Sequence, residues 1–273
     1  MVSQEQRRRQ LAREKFLRQQ QRRTSARRKA RMRNSVIASV LGVIVIGSVA
    51  LYTTGVLKND DKANAGSETT PSASPSASKA PDPCEKAAAG SVKKMSWKKE
   101  PAMTIDTSAK YTMTLSTTCG DIGIALKTSA APHTVNSFDF LASKGYFDHS
   151  KCHRLTTNGI YVLQCGDPTG TGSGGPGYTI PDENLKDKSL KGGVYPAGTV
   201  AMANTGQKHT GGSQFFLVYQ DSQLPASYTP FGTVDAAGLK ILKKIAAAGE
   251  STGQGDGAPN ATVVINKATV AKS

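Results

Sequence analysis

The most prominent hydrophobic segment of the sequence is an uncharged run from Val36 to Leu57. It contains 22 residues without Asp, Glu, Lys or Arg. A helix rises about 1.5 Å per residue, so this run would extend roughly 33 Å, which is enough to cross a bilayer core of about 30 Å. We therefore predict a single transmembrane anchor over residues 35–57.

A basic arm, residues 1–34, precedes this anchor. It holds 13 of the 35 Lys and Arg residues and 2 of the 20 Asp and Glu residues, a charge of +11, whereas the remaining chain carries only +4. Positive charge beside a membrane span favours the cytoplasmic side. We therefore expect a single-pass plasma-membrane protein with a cytoplasmic N-terminus, whose remaining chain is extracytoplasmic.

Two alternatives concern the arm and the anchor. A cleaved signal peptide would fit the small residues Ser48-Val49-Ala50, but a basic region of 34 residues is much longer than an ordinary signal has. Nucleic-acid binding would fit the charge of the arm. Contact with anionic lipid headgroups is favoured, because the arm directly precedes the span. The predicted partner of residues 1–57 is therefore the membrane and not nucleic acid.

A polar segment follows the anchor. Residues 58–83 are dominated by Ala, Ser, Thr and Pro and contain no large apolar residue. Such a segment buries too little apolar surface to offset its ordering entropy, and its prolines keep it extended. We predict a disordered linker over 58–83. Residues 84–103 form a pre-domain segment that is either more tether or an added strand, and Trp97 is expected to pack it against the folded domain.

Alternation of apolar and polar positions begins near Met103 and marks a folded domain over residues 104–273. Asn158-Gly159 is a strong hairpin signal between two of its short strands. Helical periodicity predicts helices over 132–145 and 236–248. Strands are predicted over 110–116, 121–126, 152–155, 160–164, 199–203, 214–219, 231–234 and 262–265. This pattern indicates an α+β domain with a barrel or sandwich core.

Two groups of motifs in this domain resemble the cyclophilin signature. The first is Cys152-His153-Arg154, then GIYVLQCGDP over 159–168 and the Gly-rich run 169–178. The second is AMANTG over 201–206, GGSQFF over 211–216 and YTPFG over 228–232. The resemblance covers roughly residues 104–272. It implies a mainly β fold, a closed eight-stranded antiparallel barrel capped by two helices, here preceded by the membrane anchor and the linker.

The resemblance also implies an activity, peptidyl-prolyl cis-trans isomerisation of proline-containing polypeptides. Rotation about the X–Pro bond is slow because that bond has partial double-bond character. No bond breaks, so the reaction requires no nucleophile, metal or cofactor. An apolar pocket for the proline ring and a cation that opposes amide resonance would suffice. We expect an isomerase of exported proteins that works as a monomeric domain.

Carried over to this sequence, the resemblance makes Arg154 the catalytic guanidinium and Gln164 the residue that orients it. The predicted substrate-binding residues form the walls, backbone contacts and rim of the proline pocket: Tyr161, Val162, Ala203, Asn204, Gln214, Phe216, Leu224 and Tyr228. A Gly-rich loop without the Lys-Ser/Thr ending of a P-loop does not predict phosphate binding at 169–178. His153 is either a structural strand residue or a general base, and the former is favoured since no proton is transferred.

Several positions depart from the family pattern. Cys152 replaces the Phe of the first motif, and Val162 replaces the usual pocket Met. Gln223 and Tyr228 stand where many eukaryotic members carry Trp and His, which puts cyclosporin binding in doubt. The altered rim leaves a second hypothesis open, a non-catalytic module that binds proline peptides. A hydrolase or metalloenzyme has no supporting constellation of residues.

The chain has four cysteines. Cys152 and Cys165 lie on the two arms of the predicted hairpin, and an exported domain permits disulfides. We predict a Cys152–Cys165 disulfide and, as a second pairing, Cys84–Cys119. The alternative is four free or buried thiols.

Overall fold

The computed structural model describes residues 81–272. The basic arm, the predicted anchor and residues 58–80 of the predicted linker lie outside the described residues. Within 81–272, no helix combines the length and the apolar character that a membrane crossing requires.

Twelve strands and two α-helices make up the described part of the chain. In chain order they are β1 (Tyr111–Thr117), β2 (Gly120–Leu126), α1 (Pro132–Ser143), β3 (Ser150–Lys151), β4 (Arg154–Thr156), β5 (Val162–Cys165), β6 (Val194–Tyr195), β7 (Thr199–Met202), β8 (Phe215–Val218), β9 (Ser222–Gln223), β10 (Pro230–Val234), α2 (Ala236–Ala247), β11 (Asp256–Gly257) and β12 (Val264–Lys272). Both predicted helices and all eight predicted strand regions are present.

Ten strands form one curled antiparallel sheet in the order β11-β4-β5-β8-β7-β10-β2-β1-β12-β3, and β6 and β9 form a separate two-stranded ribbon. The chain passes from β3, at one end of the sheet, to β4, next to the other end, through Cys152 and His153 alone. Three Cα steps reach only about 11 Å, so the sheet must curl to bring its ends together. The expectation of eight strands omits the short end strands, and within residues 81–272 no ladder joins β3 to β11.

Buried and half-buried residues alternate along β1, and the buried residues mark the face of the sheet that points into the core. Met113 and Leu115 are buried, and Thr114 between them is half-buried. β12 pairs with all of β1 and therefore runs to Lys272, well beyond the predicted 262–265. The register shifts by a bulge between Ser116 and Thr117 of β1, which breaks the period of two that sequence patterns detect.

The main core lies between the sheet and the two helices. Phe138 of α1 is fully buried, and its ring centroid lies 5.3 Å from Phe147, 5.5 Å from Phe215 and 4.5 Å from Phe231. Helix α2 begins at an Asp235 cap, which accepts a 2.6 Å hydrogen bond from the Gly238 N–H. Its buried Leu242 and Ile245 complete the core from the other side.

Residues 84–104, which we call the strap, form neither helix nor strand and instead cross the outside of the domain. A disulfide joins Cys84 to Cys119 at the turn between β1 and β2. Further along, the Trp97 ring lies 5.1 Å from Phe140, and the Thr104 N–H donates to Asn136 Oδ1 at 2.9 Å. The strap is therefore part of the folded domain.

Candidate active site

The β4–β5 hairpin places Arg154 directly opposite Gln164. The second disulfide, Cys152–Cys165, joins the two arms just beside this pair, so both pairings predicted from the sequence are present. Gln164 in turn lies opposite Phe216 of β8, and Phe216 lies opposite Ala201 of β7. Residues directly opposite on neighbouring strands share a face, so these four side chains form one row across the outer face of the sheet.

A second, smaller apolar cluster builds the wall of the site on this outer face. Val162, Phe216 and Ala201 are buried in it, and Leu224 and Tyr228 are half-buried at its edge. The Tyr228 ring stands edge-on to Phe216 at 5.4 Å, and its carbonyl accepts a 2.8 Å hydrogen bond from the Tyr195 hydroxyl. Tyr228, at the rim of the site, is therefore held through both its ring and its backbone.

A groove of about 500 Å³ opens beside this cluster. Eight of the predicted site residues line it: Arg154, Val162, Gln164, Ala203, Asn204, Phe216, Leu224 and Tyr228. The Ala203 N–H already donates to the Gln214 carbonyl at 2.9 Å, so a peptide contact at Ala203 would use its carbonyl oxygen. Arg154 is the only arginine in residues 35–273.

Tyr161 does not line the groove, contrary to the prediction. Its ring packs against Tyr219 at a centroid distance of 5.9 Å, and its N–H donates to Ser222 Oγ. Ile160 lines the groove instead. Successive side chains of an extended segment point to opposite faces, so Ile160 and Val162 share the groove face while Tyr161 turns away. The assignment from the motif was therefore one residue out of step.

Arg154 is held by a residue that the sequence did not reveal, Asp256 of β11. The guanidinium donates from Nε to Oδ1 and from Nη2 to Oδ2, both at 2.7 Å, while Nη1 donates to Gln164 Oε1 at 3.3 Å. The hydrogen bond to Asp256 raises the pKa of Arg154 above its already high ordinary value, so the group stays charged. The two parallel hydrogen bonds to one carboxylate fix the orientation of the planar guanidinium. A lysine ammonium could not form such a pair.

The row of polar side chains continues through two glutamines. Gln164 Nε2 donates to Gln214 Oε1 at 2.8 Å, and Gln214 Nε2 donates to the Gly174 carbonyl at 2.9 Å. Gln214, a predicted substrate-binding residue, does not line this groove but lines a second hollow next to it. A continuous chain of hydrogen bonds thus leads from Asp256 through Arg154 to the Gly-rich loop.

The Asp167 carboxylate holds the Gly-rich loop, residues 169–178, in shape through hydrogen bonds to its backbone. Its fully buried carboxylate accepts backbone N–H groups from Thr169, Gly172 and Gly174 at 2.7–3.1 Å, and a further one from Thr171. Burial raises the pKa of Asp167, but these hydrogen bonds outweigh it and lower the value to about 2. A Cβ at Gly174 would collide with the Asp167 carboxylate, so the loop needs glycine at this position.

His153 borders the groove next to Arg154. Its two ring nitrogens are shielded from solvent and have no hydrogen-bond partner. Burial lowers the pKa of His153, the charge of Asp167 opposes this shift and the charge of Arg154 adds to it. The imidazole is therefore neutral near pH 7.

Comparison with known proteins identifies the family. The family model described as cyclophilin type peptidyl-prolyl cis-trans isomerase/CLD matches residues 112–270. The probable peptidyl-prolyl cis-trans isomerase B of Mycobacterium leprae is 50% identical over 165 residues, which are 58% of this chain and 56% of that protein. Peptidyl-prolyl cis-trans isomerase B of Bacillus subtilis is 41% identical over 125 residues, 45% of this chain and 82% of that protein.

Among solved structures, a Cryptosporidium parvum cyclophilin type peptidyl-prolyl cis-trans isomerase is similar with a TM-score of 0.49 and 25% identity, covering 60% of this chain and 99% of that one. This chain belongs to the family of cyclophilin-type peptidyl-prolyl cis-trans isomerases. It spans about half the length of the mycobacterial relatives that it matches.

The role of Asp167 leads to a prediction about stability and pH. Because its pKa in the folded protein, about 2, lies below the ordinary value of 3.8, the carboxylate stabilises the fold above about pH 4, and this contribution is lost as the pH falls towards 2. Asp167→Asn should lower the free energy of unfolding by about 2 kcal/mol at pH 7. Urea denaturation at several pH values should show the difference from wild type shrinking between pH 4 and pH 2.

Asp121→Asn serves as the control for this series, because Asp121 is an exposed residue of β2. That variant should stay within about 0.5 kcal/mol of wild type at pH 7. A difference between wild type and Asp167→Asn that is the same at pH 7 and pH 2 would contradict the role given to the carboxylate.

Proposed function

We propose that this protein is a peptidyl-prolyl cis-trans isomerase that rotates X–Pro bonds in exported proteins and acts as a monomer. One observation carries the proposal: a guanidinium held by a carboxylate stands in a groove that has one apolar wall. Arg154 supplies the charge, and Val162 and Phe216 supply apolar surface suited to a proline ring. Membership of the cyclophilin family supports the same conclusion.

The mechanism follows from the electronic structure of the amide. Resonance between the prolyl nitrogen and the carbonyl creates a barrier of about 18–20 kcal/mol. A twisted amide has a pyramidal nitrogen with a free lone pair, which accepts a hydrogen bond that the planar amide does not. The Arg154 guanidinium would donate to that lone pair and so bind the twisted state more tightly than the planar one.

Preorganisation makes this donor effective. Asp256 and Gln164 hold the guanidinium before substrate arrives, so little reorganisation accompanies the reaction. The apolar wall formed by Val162 and Phe216 would exclude water from one side of the amide, which strengthens the electrostatic interaction there. Leu224 and Tyr228 would close over the proline ring, and the backbone at Ala203 and Asn204 would hold the residue before it.

The first prediction of this mechanism concerns Arg154. Arg154→Ala should lower kcat/KM for an Ala-Pro tetrapeptide about 100-fold, as expected for loss of a preorganised donor. Arg154→Lys should recover little, because an ammonium keeps the charge but not the fork. Lys244→Ala, at an exposed position of α2, is the control and should retain wild-type activity.

Either of two results would change the assignment. Wild-type activity in Arg154→Ala would remove the guanidinium from the mechanism. A folded wild-type protein that binds proline peptides without accelerating their isomerisation would favour the non-catalytic binding module.

The second prediction concerns Asp256, which touches no substrate in this scheme and acts through Arg154. Asp256→Ala should lower kcat about three- to tenfold with little change in KM, since the guanidinium loses its orientation. Both partners are partly exposed, with 39% and 54% of their side chains accessible, so the loss of stability should be below about 1 kcal/mol.

A double-mutant cycle isolates the coupling between the two residues. In an Arg154→Ala background, the further change Asp256→Ala should have almost no effect on kcat. Additive effects of the two substitutions would show that Asp256 influences the reaction by another route.

The proposal includes a location, a single-pass membrane protein whose catalytic domain is extracytoplasmic. The uncharged run 36–57 and the basic arm before it support this topology. All four cysteines of the chain are joined in disulfides, which form and persist in oxidising compartments.

A protease that cannot cross membranes tests the location. Added to intact cells, it should remove the domain while an epitope tag placed before Met1 stays protected inside. A variant lacking residues 35–57 should remain protected and should expose reactive thiols on denaturation. Protection of the wild-type domain in intact cells would place it in the cytoplasm instead.

A further inference from the structure

The peptide groove continues beyond Gln164 into a larger hollow. This second hollow has a volume of about 1110 Å³ and shares Gln164, Gly172, Ala203 and Asn204 with the first groove. Its far wall is not part of the sheet. Lys98, Lys99 and Glu100 of the strap form it.

The strap is locked in place where it meets the hollow. The Trp97 N–H donates to the Pro176 carbonyl at 2.8 Å, which ties the strap to the Gly-rich loop. A Cβ at Gly177 would collide with Ser96 Oγ, so strap and loop approach more closely than any other residue would allow. Lys98 and Lys99 therefore belong to a fixed wall and not to a free tether.

The charge of this wall is positive. Glu100 faces His133, with 3.4 Å between Oε2 and Nδ1, and is the only acidic residue among those lining the hollow. Within residues 81–272, no carboxylate lies within 4.0 Å of either lysine ammonium. Both lysines are exposed, so an incoming peptide meets two ammonium groups and one carboxylate, which together make a net positive wall.

We propose that the strap is the second half of the substrate groove and that Lys98 and Lys99 select proline segments bearing Asp or Glu. This inference rests on the proposed function for the direction of the peptide. The two hollows meet at Ala203 and Asn204, which are assigned to the residue before proline. The acidic side chain therefore precedes the proline in the preferred substrate.

A peptide series tests the selection. The full chain in uncharged detergent micelles is assayed with Ala-rich peptides that contain one proline and a single Glu at each of the four positions before it. Gln and Lys peptides of the same design are the comparison. At one of these positions the Glu peptide should show a KM three- to tenfold below that of the Gln peptide. The difference should vanish in 1 M salt, where the Debye length is about 3 Å.

Two charge-reversed double variants distinguish an effect of Lys98 and Lys99 in the wall from an effect of the overall charge of the protein. Lys98→Glu combined with Lys99→Glu should reverse the preference from the Glu peptide to the Lys peptide. Lys243→Glu combined with Lys244→Glu makes the same change of charge at exposed positions of α2, outside the lining of the hollow, and should leave the Glu preference intact. Equal preferences in both variants would overturn the proposal, as would a wild type that does not distinguish Glu from Gln.

Failure of the proposed function has a different signature. If the all-Ala peptide is not isomerised, dissociation constants of the same peptides replace KM. A Glu preference in binding that Lys98→Glu with Lys99→Glu reverses would then sustain the inference about the wall while the isomerase assignment falls.

Discussion

The site depends on strands that are buried on both faces. In β5, Leu163 packs into the main core while Val162 packs into the second cluster, and in β8 Phe215 and Phe216 divide in the same way. A slip of one residue in either strand would send each of these side chains to the wrong face, so their register is fixed from two sides. Arg154 inherits this rigidity because its strand pairs directly with β5. The row of side chains from Arg154 to Phe216 is therefore positioned by packing in the sheet.

Local features of the fold could be predicted from residue patterns, whereas the residues that meet in the groove could be predicted only through the family resemblance. Strand alternation and the Asn158-Gly159 turn are local signals, so the hairpin that carries Arg154 was predicted. The pairing of Asp256 with Arg154 spans 102 residues, and nothing in its Gly-rich surroundings indicates a partner. The sequence does not decide whether the strap is a tether or an added strand. Its residues are ordered only by contacts with remote parts of the chain. Tyr161 was misplaced by a single residue, which is enough to reverse the side of an extended segment.

Two carboxylates show how burial decides what an acidic side chain does here. Asp167 is fully buried and satisfied almost entirely by backbone N–H groups, so its charge shapes a loop. The side chain of Asp256 is about half accessible to solvent, and its charge orients the Arg154 guanidinium. The first therefore governs whether the wall of the groove exists, and the second governs how the guanidinium stands within it. Arg154 is the only arginine among the 239 residues after the basic arm, so the orientation of the guanidinium in the groove depends on this one side chain.

The Cys84–Cys119 disulfide has a mechanical consequence. It joins the beginning of the strap to the turn between β1 and β2, two interior strands of the hydrogen-bonded sheet. Any traction on the chain before Cys84 is delivered through this covalent link to the sheet, where it must shear long antiparallel ladders. Without the link, the same force would peel the strap away residue by residue, beginning with its N-terminal contacts and reaching Trp97. In the proposed membrane-anchored protein, Lys98 and Lys99 would thus stay at the groove under load, and a cut before Cys84 would release the domain with the groove complete.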